Sequence, residues 1–395
     1  MSALRGIRVI EFGTMVAAPA AAALLASYGA EVIKVEDTVT GDQLRLYGSA
    51  KGGTSGWFLT VNDGKRSIAL DLKTEAGRTV ARALAAQADV LIEGYRSGVM
   101  ERLGLGAAAL RKINPRLIYC ASSGFGSTGP YADRPVYDPL IQALAGWAGA
   151  QQVDGQPSLV RGMVADKIGA WNNAQAILAA LVQRGISGEG CEIETNMLDA
   201  NIAFLWGDVM MHETLQDSDA DHRPNLIYSY RLFRARDGWV SIAIGNDKQW
   251  AAACEALGAP ERLADERFRT AAQRARALPQ WYDLIDQMIS TLPTSEVVAR
   301  LVAADVPAAS VNEPGAVFSD PQVQSTGTVR EQQHPQAGCY RAPRPRAAQL
   351  GHDQTLRPAP AWGEHTTEIL GELGHSSHEI EALLRSGAAR AAPAE

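Results

Sequence analysis

Residues 161–173 read Arg-Gly-Met-Val-Ala-Asp-Lys-Ile-Gly-Ala-Trp-Asn-Asn. A short apolar run carrying glycine meets Asp166, and an Ala/Leu-rich helical pattern follows to Arg184, with Gly185 as its stop. Asp166 therefore belongs at the mouth of a helix. There it is expected to accept backbone N–H bonds and to feel the positive end of the helix dipole. Both effects favour the ionised carboxylate, and an ionised carboxylate is a nucleophile. Position alone equally fits an ordinary N-cap, since aspartate is among the commonest caps.

Cations gather in two places. Residues 62–73 (NDGKRSIALDLK) carry Lys65, Arg66 and Lys73 around a strand, and residues 93–102 (EGYRSGVMER) carry Arg96 and Arg102 beside Tyr95 and Gly98. Both flank strand ends in a parallel-sheet pattern, where ligands sit. Arginine with an aromatic ring beside glycine suits a phosphorylated nucleotide, guanidinium for phosphate and ring for base. A plain solvated face is the alternative for each of these charges taken singly.

The elements that must position these residues alternate. Residues 7–12 read as a strand, 19–28 as a helix and 31–36 as a second strand. The unit recurs, with strands over 67–72, 89–92 and 117–121 and helices over 75–87 and near 98–103. Such βαβ repetition predicts an α/β fold with a parallel, doubly wound sheet. Residues 124–129 spell GFGSTG, a formal GxGxxG after a strand. Proline and tyrosine follow it instead of a helix, so a loop bordering a site is expected rather than a dinucleotide fingerprint.

Residues 191–196 alternate like a strand, and 197–215 read as one long buried helix. Composition shifts at 216–221, a polar linker. Two strands follow within 230–244 about Arg236-Asp237-Gly238, then helices capped by Asp247 and by Thr294 or Ser295. Residues 335–362 are proline-rich and read as an irregular crossing segment. Ser376 and Glu379 form a capping box for the last helix. The domain reading is 1–215, a smaller α+β domain over 216–330, and 331–395 as linker and tail.

Exclusions narrow the chemistry. A net charge of −7 argues against a general nucleic-acid partner. No apolar run is long enough for a membrane span, and the N-terminus lacks a signal-peptide core. The four cysteines are scattered without CxxC, which fits a cytoplasmic protein with reduced thiols. All seven histidines lie at or beyond His212, so the first half has no imidazole base. HExxH and GxxxxGK[ST] are absent, and no metal site is expected.

Several stretches together resemble one family. LRGIRVIEFG, SYGAEVIKVE, KRSIALDLK, LIEGYRSGVMERLGL, GFGSTGPYADRPVYD, VADKIGA, IGNDKQW, DPQVQ and GEHTTEIL are similar, in order, to class III (CaiB/BaiF-type) CoA-transferases of the formyl-CoA and carnitine transferase kind. The resemblance implies a Rossmann-like large domain built from both chain ends, a small domain between, and two ring-like subunits interlocked as a homodimer. It implies that Asp166 is the catalytic aspartate. Lys73, Tyr95, Val99 and Arg102 match the family's CoA contacts, Arg96 stands among them, and Tyr137 lies near the reacting end. The implied reaction moves CoA from an acyl-CoA to a small carboxylic acid through an aspartyl mixed anhydride and an enzyme–CoA thioester. CoA is a substrate, and no permanent cofactor is implied. α-Methylacyl-CoA racemases are the alternative in the same superfamily. They carry a histidine where Tyr137 stands and a glutamate about where Asn246 lies. A racemase must reprotonate its α-carbon, and a phenol near pH 7 shuttles protons poorly.

Overall fold

The computed structural model describes residues 2–221, 230–352 and 355–393. Two compact units divide the chain: Met1–Met210 with Gly327–Glu395, and Met211–Thr326.

The first unit is built on one sheet. Its strands are β1 (Arg8–Phe12), β2 (Glu31–Glu36), β3 (Lys65–Leu70), β4 (Val90–Glu93), β5 (Ile118–Ser123), β6 (Glu192–Asn196) and β7 (Ala389–Arg390). The spatial order is β6-β5-β4-β1-β2-β3-β7, with the first six parallel and β7 antiparallel on the edge of β3. Successive side chains of a strand point to opposite faces, and here they feed two cores. Ile10, Ile33, Leu91 and Tyr119 enter one, and Val9, Val32, Ile92 and Ile118 enter the other. Burial on both faces explains why these strands read as continuous apolar runs. The helices Ala17–Ser27 and Val164–Ser187 cover the second core.

The tail docks on β3. Ser67 Oγ accepts the Gly363 N–H at 3.0 Å, and Thr366 Oγ1 accepts the Ala69 N–H at 3.1 Å while donating to Arg390 O at 2.6 Å. The second unit has an antiparallel sheet of Leu232–Arg234, Trp239–Ile242 and Ala308–Ser310, and its core includes Trp250, Phe268 and Trp281.

Several local expectations are corrected. The central helix runs past Gly185 to Ser187, and Gly188 at φ 79° is the residue that ends it. The long helix expected over 197–215 is Met197–Leu205 followed by a separate turn Met211–Thr214, and Phe204 and Leu215 are exposed. Asn246, not Asp247, caps the helix Asp247–Ala256 by accepting the Gln249 N–H at 2.9 Å. Thr294 is the first residue of its helix, and Pro293 stands at the cap. Residues 335–343 are not irregular: Val329–His334 and Gly338–Pro343 form a hairpin. Residues 353–354 of that expected segment lie outside those described. The capping box of Ser376 and Glu379 is present.

Candidate active site

The chain winds outward from β1 in one direction through β2 and β3, then crosses back to β4. Parallel sheets of this order leave a crevice at the carboxyl ends of the two strands that flank the reversal. A cavity of about 830 Å³ opens there, lined by residues 14–18 after β1, 94–97 after β4 and 122–125 around the end of β5. Its remaining walls include residues 134–139, Gln142, residues 159–163, Asp166 and Lys167.

Three helices begin at this cavity: Ala17–Ser27, Asp138–Ala145 and Val164–Ser187. Each brings its positive dipole end there. Negative charge, bound or developing, is therefore favoured in the space they share.

Asp166 is the third residue of its helix, in the first turn, and its side chain caps nothing. Instead its own N–H donates to Asp138 Oδ2 at 2.9 Å. The preceding carbonyl, Ala165 O, accepts from Asn201 Nδ2 at 3.2 Å. Deeper in the helix, Asn173 donates to Ser122 Oγ at 2.7 Å and accepts from Thr195 Oγ1 at 2.6 Å, tying the helix to the ends of β5 and β6. Position and orientation of Asp166 are thus fixed by partners far along the chain.

Its charge state corrects the expectation from sequence. Burial, with the Asp138 carboxylate beside it, pushes Asp166 up to about 7, not down. The helix dipole favours the anion, but loss of water and a like charge outweigh it. A desolvated carboxylate titrating near neutrality is a stronger base and nucleophile than a solvated one, at the cost of a smaller ionised fraction.

Beneath the loop after β1 lies a buried charge cluster. Glu11 accepts from Lys34 Nζ at 3.0 Å and Lys65 Nζ at 2.9 Å, and Lys34 also meets Asp42 at 2.9 Å. Asp42 Oδ1 in turn accepts the N–H of Met15, a non-glycine residue at φ 66° in the cavity wall. Gly13 permits the close turn, since a Cβ there would stand 2.8 Å from the Ala18 Cβ.

The residues singled out from sequence divide into two groups. Asp166, Tyr95, Arg96 and Tyr137 line the cavity together. Lys73, Val99 and Arg102 do not: Lys73 is exposed in the turn after β3, and Val99 and Arg102 bound the short helix after Gly98. Of the glycine loop, Gly124 and Phe125 reach the cavity. The N–H groups of Gly126 and Ser127 are engaged by Ser123 Oγ and Glu194 Oε1 and are not free for a ligand. Asp138 and Gln142 were not anticipated, although Asp-Pro at the head of a helix with a polar side chain one turn on is a readable signal. No group of three or more His, Cys, Asp or Glu suited to a metal occurs among the described residues.

Residues 4–366 match the family described as CoA-transferase family III. The succinyl-CoA:glutarate CoA-transferase of Mus musculus is 32% identical over 98% of this chain and 90% of its own. The succinate–glutarate CoA-transferase of Agrobacterium fabrum is 35% identical over 94% and 95%. The crystal structure of a CaiB/BaiF family protein from Brucella suis has a TM-score of 0.84 at 32% identity, covering 94% of this chain and 99% of that one. The chain belongs to CoA-transferase family III and is an enzyme that transfers CoA between an acyl-CoA and a carboxylic acid.

Proposed function

From that membership we propose that Asp166 carries the CoA exchange. An Asp166 oxygen attacks the thioester carbonyl of the donor, the C–S bond breaks, and a mixed anhydride and CoA thiolate result. The thiolate attacks the aspartyl carbonyl, releasing the donor carboxylate and leaving an Asp166–CoA thioester. The acceptor carboxylate attacks that thioester, and the returning thiolate then takes the acceptor acyl group from the second anhydride. No net proton is consumed and no bond energy is lost, so the exchange requires no nucleotide hydrolysis. The observation that carries this reading is one half-buried carboxylate, pushed up to about 7 by lost water and by Asp138, on the wall of a cavity where three helices begin.

Arg96, Arg134, Arg161 and Lys167 line the same cavity, and none is ion-paired with a protein carboxylate among the described residues. They are the groups we assign to anionic substrates, with Tyr95, Arg96, Lys73, Val99 and Arg102 on the CoA side and Tyr137 near the reacting carbonyl. The two relatives, a succinyl-CoA:glutarate and a succinate–glutarate CoA-transferase, favour a small dicarboxylate as acceptor. We further propose a cytoplasmic enzyme acting as an interlocked homodimer, supported by apolar side chains such as Ile186 and Phe204 left exposed on the single chain.

Asp166→Ala should abolish exchange and leave the protein folded. Residual activity within about tenfold of wild type would remove Asp166 from the nucleophile role. Hydroxylamine should inactivate only enzyme incubated with acyl-CoA. A screen of succinyl-, acetyl- and formyl-CoA against a panel of carboxylic acids, read by mass spectrometry, identifies the pair.

A further inference from the structure

Gln142 belongs to none of the steps above, yet it is 1% exposed and holds more polar partners than any other side chain beside Asp166. Its Nε2 donates to Asp138 Oδ1 at 2.6 Å and to the carbonyls of Val160 and Gly162 at 3.2 and 3.3 Å. Its Oε1 accepts the Val160 N–H at 2.9 Å. The opposite amide orientation would set oxygen against three acceptors, so the network allows only this one. Asp138, 3% exposed, uses its other oxygen for the Asp166 N–H at 2.9 Å. Two side chains one helical turn apart thus bridge two backbone stretches: the Arg161 segment and the first turn of the Asp166 helix.

We propose that Gln142 is a positioning residue, which through Asp138 locks the Arg161 segment and the Asp166 carboxylate into one register for the acceptor acid. The proposal rests on Asp166 as nucleophile. In-line attack requires the reacting atoms about 3 Å apart, and a misplacement of about 1 Å costs on the order of 100-fold in rate. Segment 159–163 has no strand or helix of its own, and Gln142 bonds its backbone on both sides of Arg161. Loosening it moves the cation and the nucleophile independently.

The test uses the full-length enzyme and four variants. Gln142→Met keeps length and removes every bond; kcat should fall about 10- to 100-fold and the acceptor KM should rise, with the acyl-CoA KM within about twofold. Asp138→Asn must keep an oxygen on the Asp166 N–H, so its amide nitrogen faces the Gln142 nitrogen, donor against donor. Gln142→Glu puts an oxygen against Asp138 Oδ1 and the Val160 and Gly162 carbonyls and should lower kcat at least as far as Gln142→Met. A purely structural role lowers the thermal midpoint but gives no KM split. A Gln142→Met kcat within about twofold of wild type, or an acyl-CoA KM that rises as much as the acceptor KM, overturns the proposal; if Gln142→Met fails to fold, the same split in Asp138→Asn decides. Hydroxylamine trapping, with Asp166→Ala as control, separates the causes. Trapping that Asp166→Ala alone eliminates, with Gln142 variants kinetically normal, defeats only this inference; trapping unaffected by Asp166→Ala removes the nucleophile reading and this proposal with it.

Discussion

Asp166 combines two effects of opposite sign, and their balance is measurable. Partial burial and the Asp138 carboxylate beside it push its carboxyl up to about 7, against an ordinary value of about 4. The reacting form is the anion, so kcat/KM should rise through a single ionisation near pH 7 and level above it. Asp138→Asn removes the like charge, so the midpoint of that limb should move to lower pH even as the plateau falls. A limb that stays in place would show that burial alone sets the value. Stability has the reverse sign. A carboxyl raised in the folded state holds its proton more tightly there, so stability is lost as pH climbs from about 4 through 7. Asp166→Asn, which keeps the shape and drops the charge, should therefore be more stable at pH 8, by on the order of 2 kcal/mol after discounting for the open cavity, with the gain shrinking towards pH 4. Urea titrations at the two pH values decide it; a less stable variant at pH 8 contradicts the account. The type and place of this residue were legible in the sequence. Its charge state was not, because Asp138 is 28 residues away and only the folded chain brings the two together.

At the scale of elements, legibility followed the locality of the forces. Glu31–Glu36 was read to the residue because an apolar run between glycine and a charged turn is a local signal, and the capping box of Ser376 and Glu379 is likewise contained in four residues. Boundaries set by distant partners were misplaced. Gly185 carries no penalty large enough to end a well-packed helix, so the stop moved to Gly188, where φ is positive. The hairpin ending at Pro343 was missed because its strands are mostly polar and proline-flanked. The loop after β1 makes the strongest case. Its Met15 lies in a left-handed conformation that costs on the order of 1 kcal/mol or more, and Asp42 holds it there. Asp42 in turn depends on Lys34, whose ammonium stays charged despite burial because Glu11 and Asp42 face it. Breaking such a buried pair strands the surviving charges, so Lys34→Met should destabilise by about 3–5 kcal/mol. Lys65, which burial lowers to about 8, should then bind its proton more tightly, since Lys34 no longer repels it. A Lys34→Met enzyme within about 1 kcal/mol of wild type by urea unfolding would show that the cluster is not coupled in this way.

For the whole molecule, the surface of the central helix poses the sharpest question. Val164–Ser187 buries Ala170, Ala174, Ile177 and Arg184 against the sheet. On its other side Trp171 is 48% exposed, Val182 68% and Ile186 87%. Val182 and Ile186 are four apart and Trp171 is eleven before Val182, which places all three near one stripe at the helical repeat of 3.6. Three large apolar side chains exposed along one stripe, with Gln175 among them, mark a surface suited to a partner. A second copy of the chain is the cover proposed here, which gives an assembly of about twice the 42.2 kDa chain. Val182→Asp with Ile186→Asp adds two charges per chain to that stripe, and neither side chain contacts the cavity. Light scattering should show the wild type at the doubled mass and the double variant shifted towards the single chain, or towards aggregates if separation exposes more apolar surface. If the proposed interlocking holds, chains that have closed around each other cannot part without opening, so separation should be slow in folded protein and complete only after refolding at low concentration. A variant that stays at the doubled mass after such refolding would mean that this stripe is not the interface.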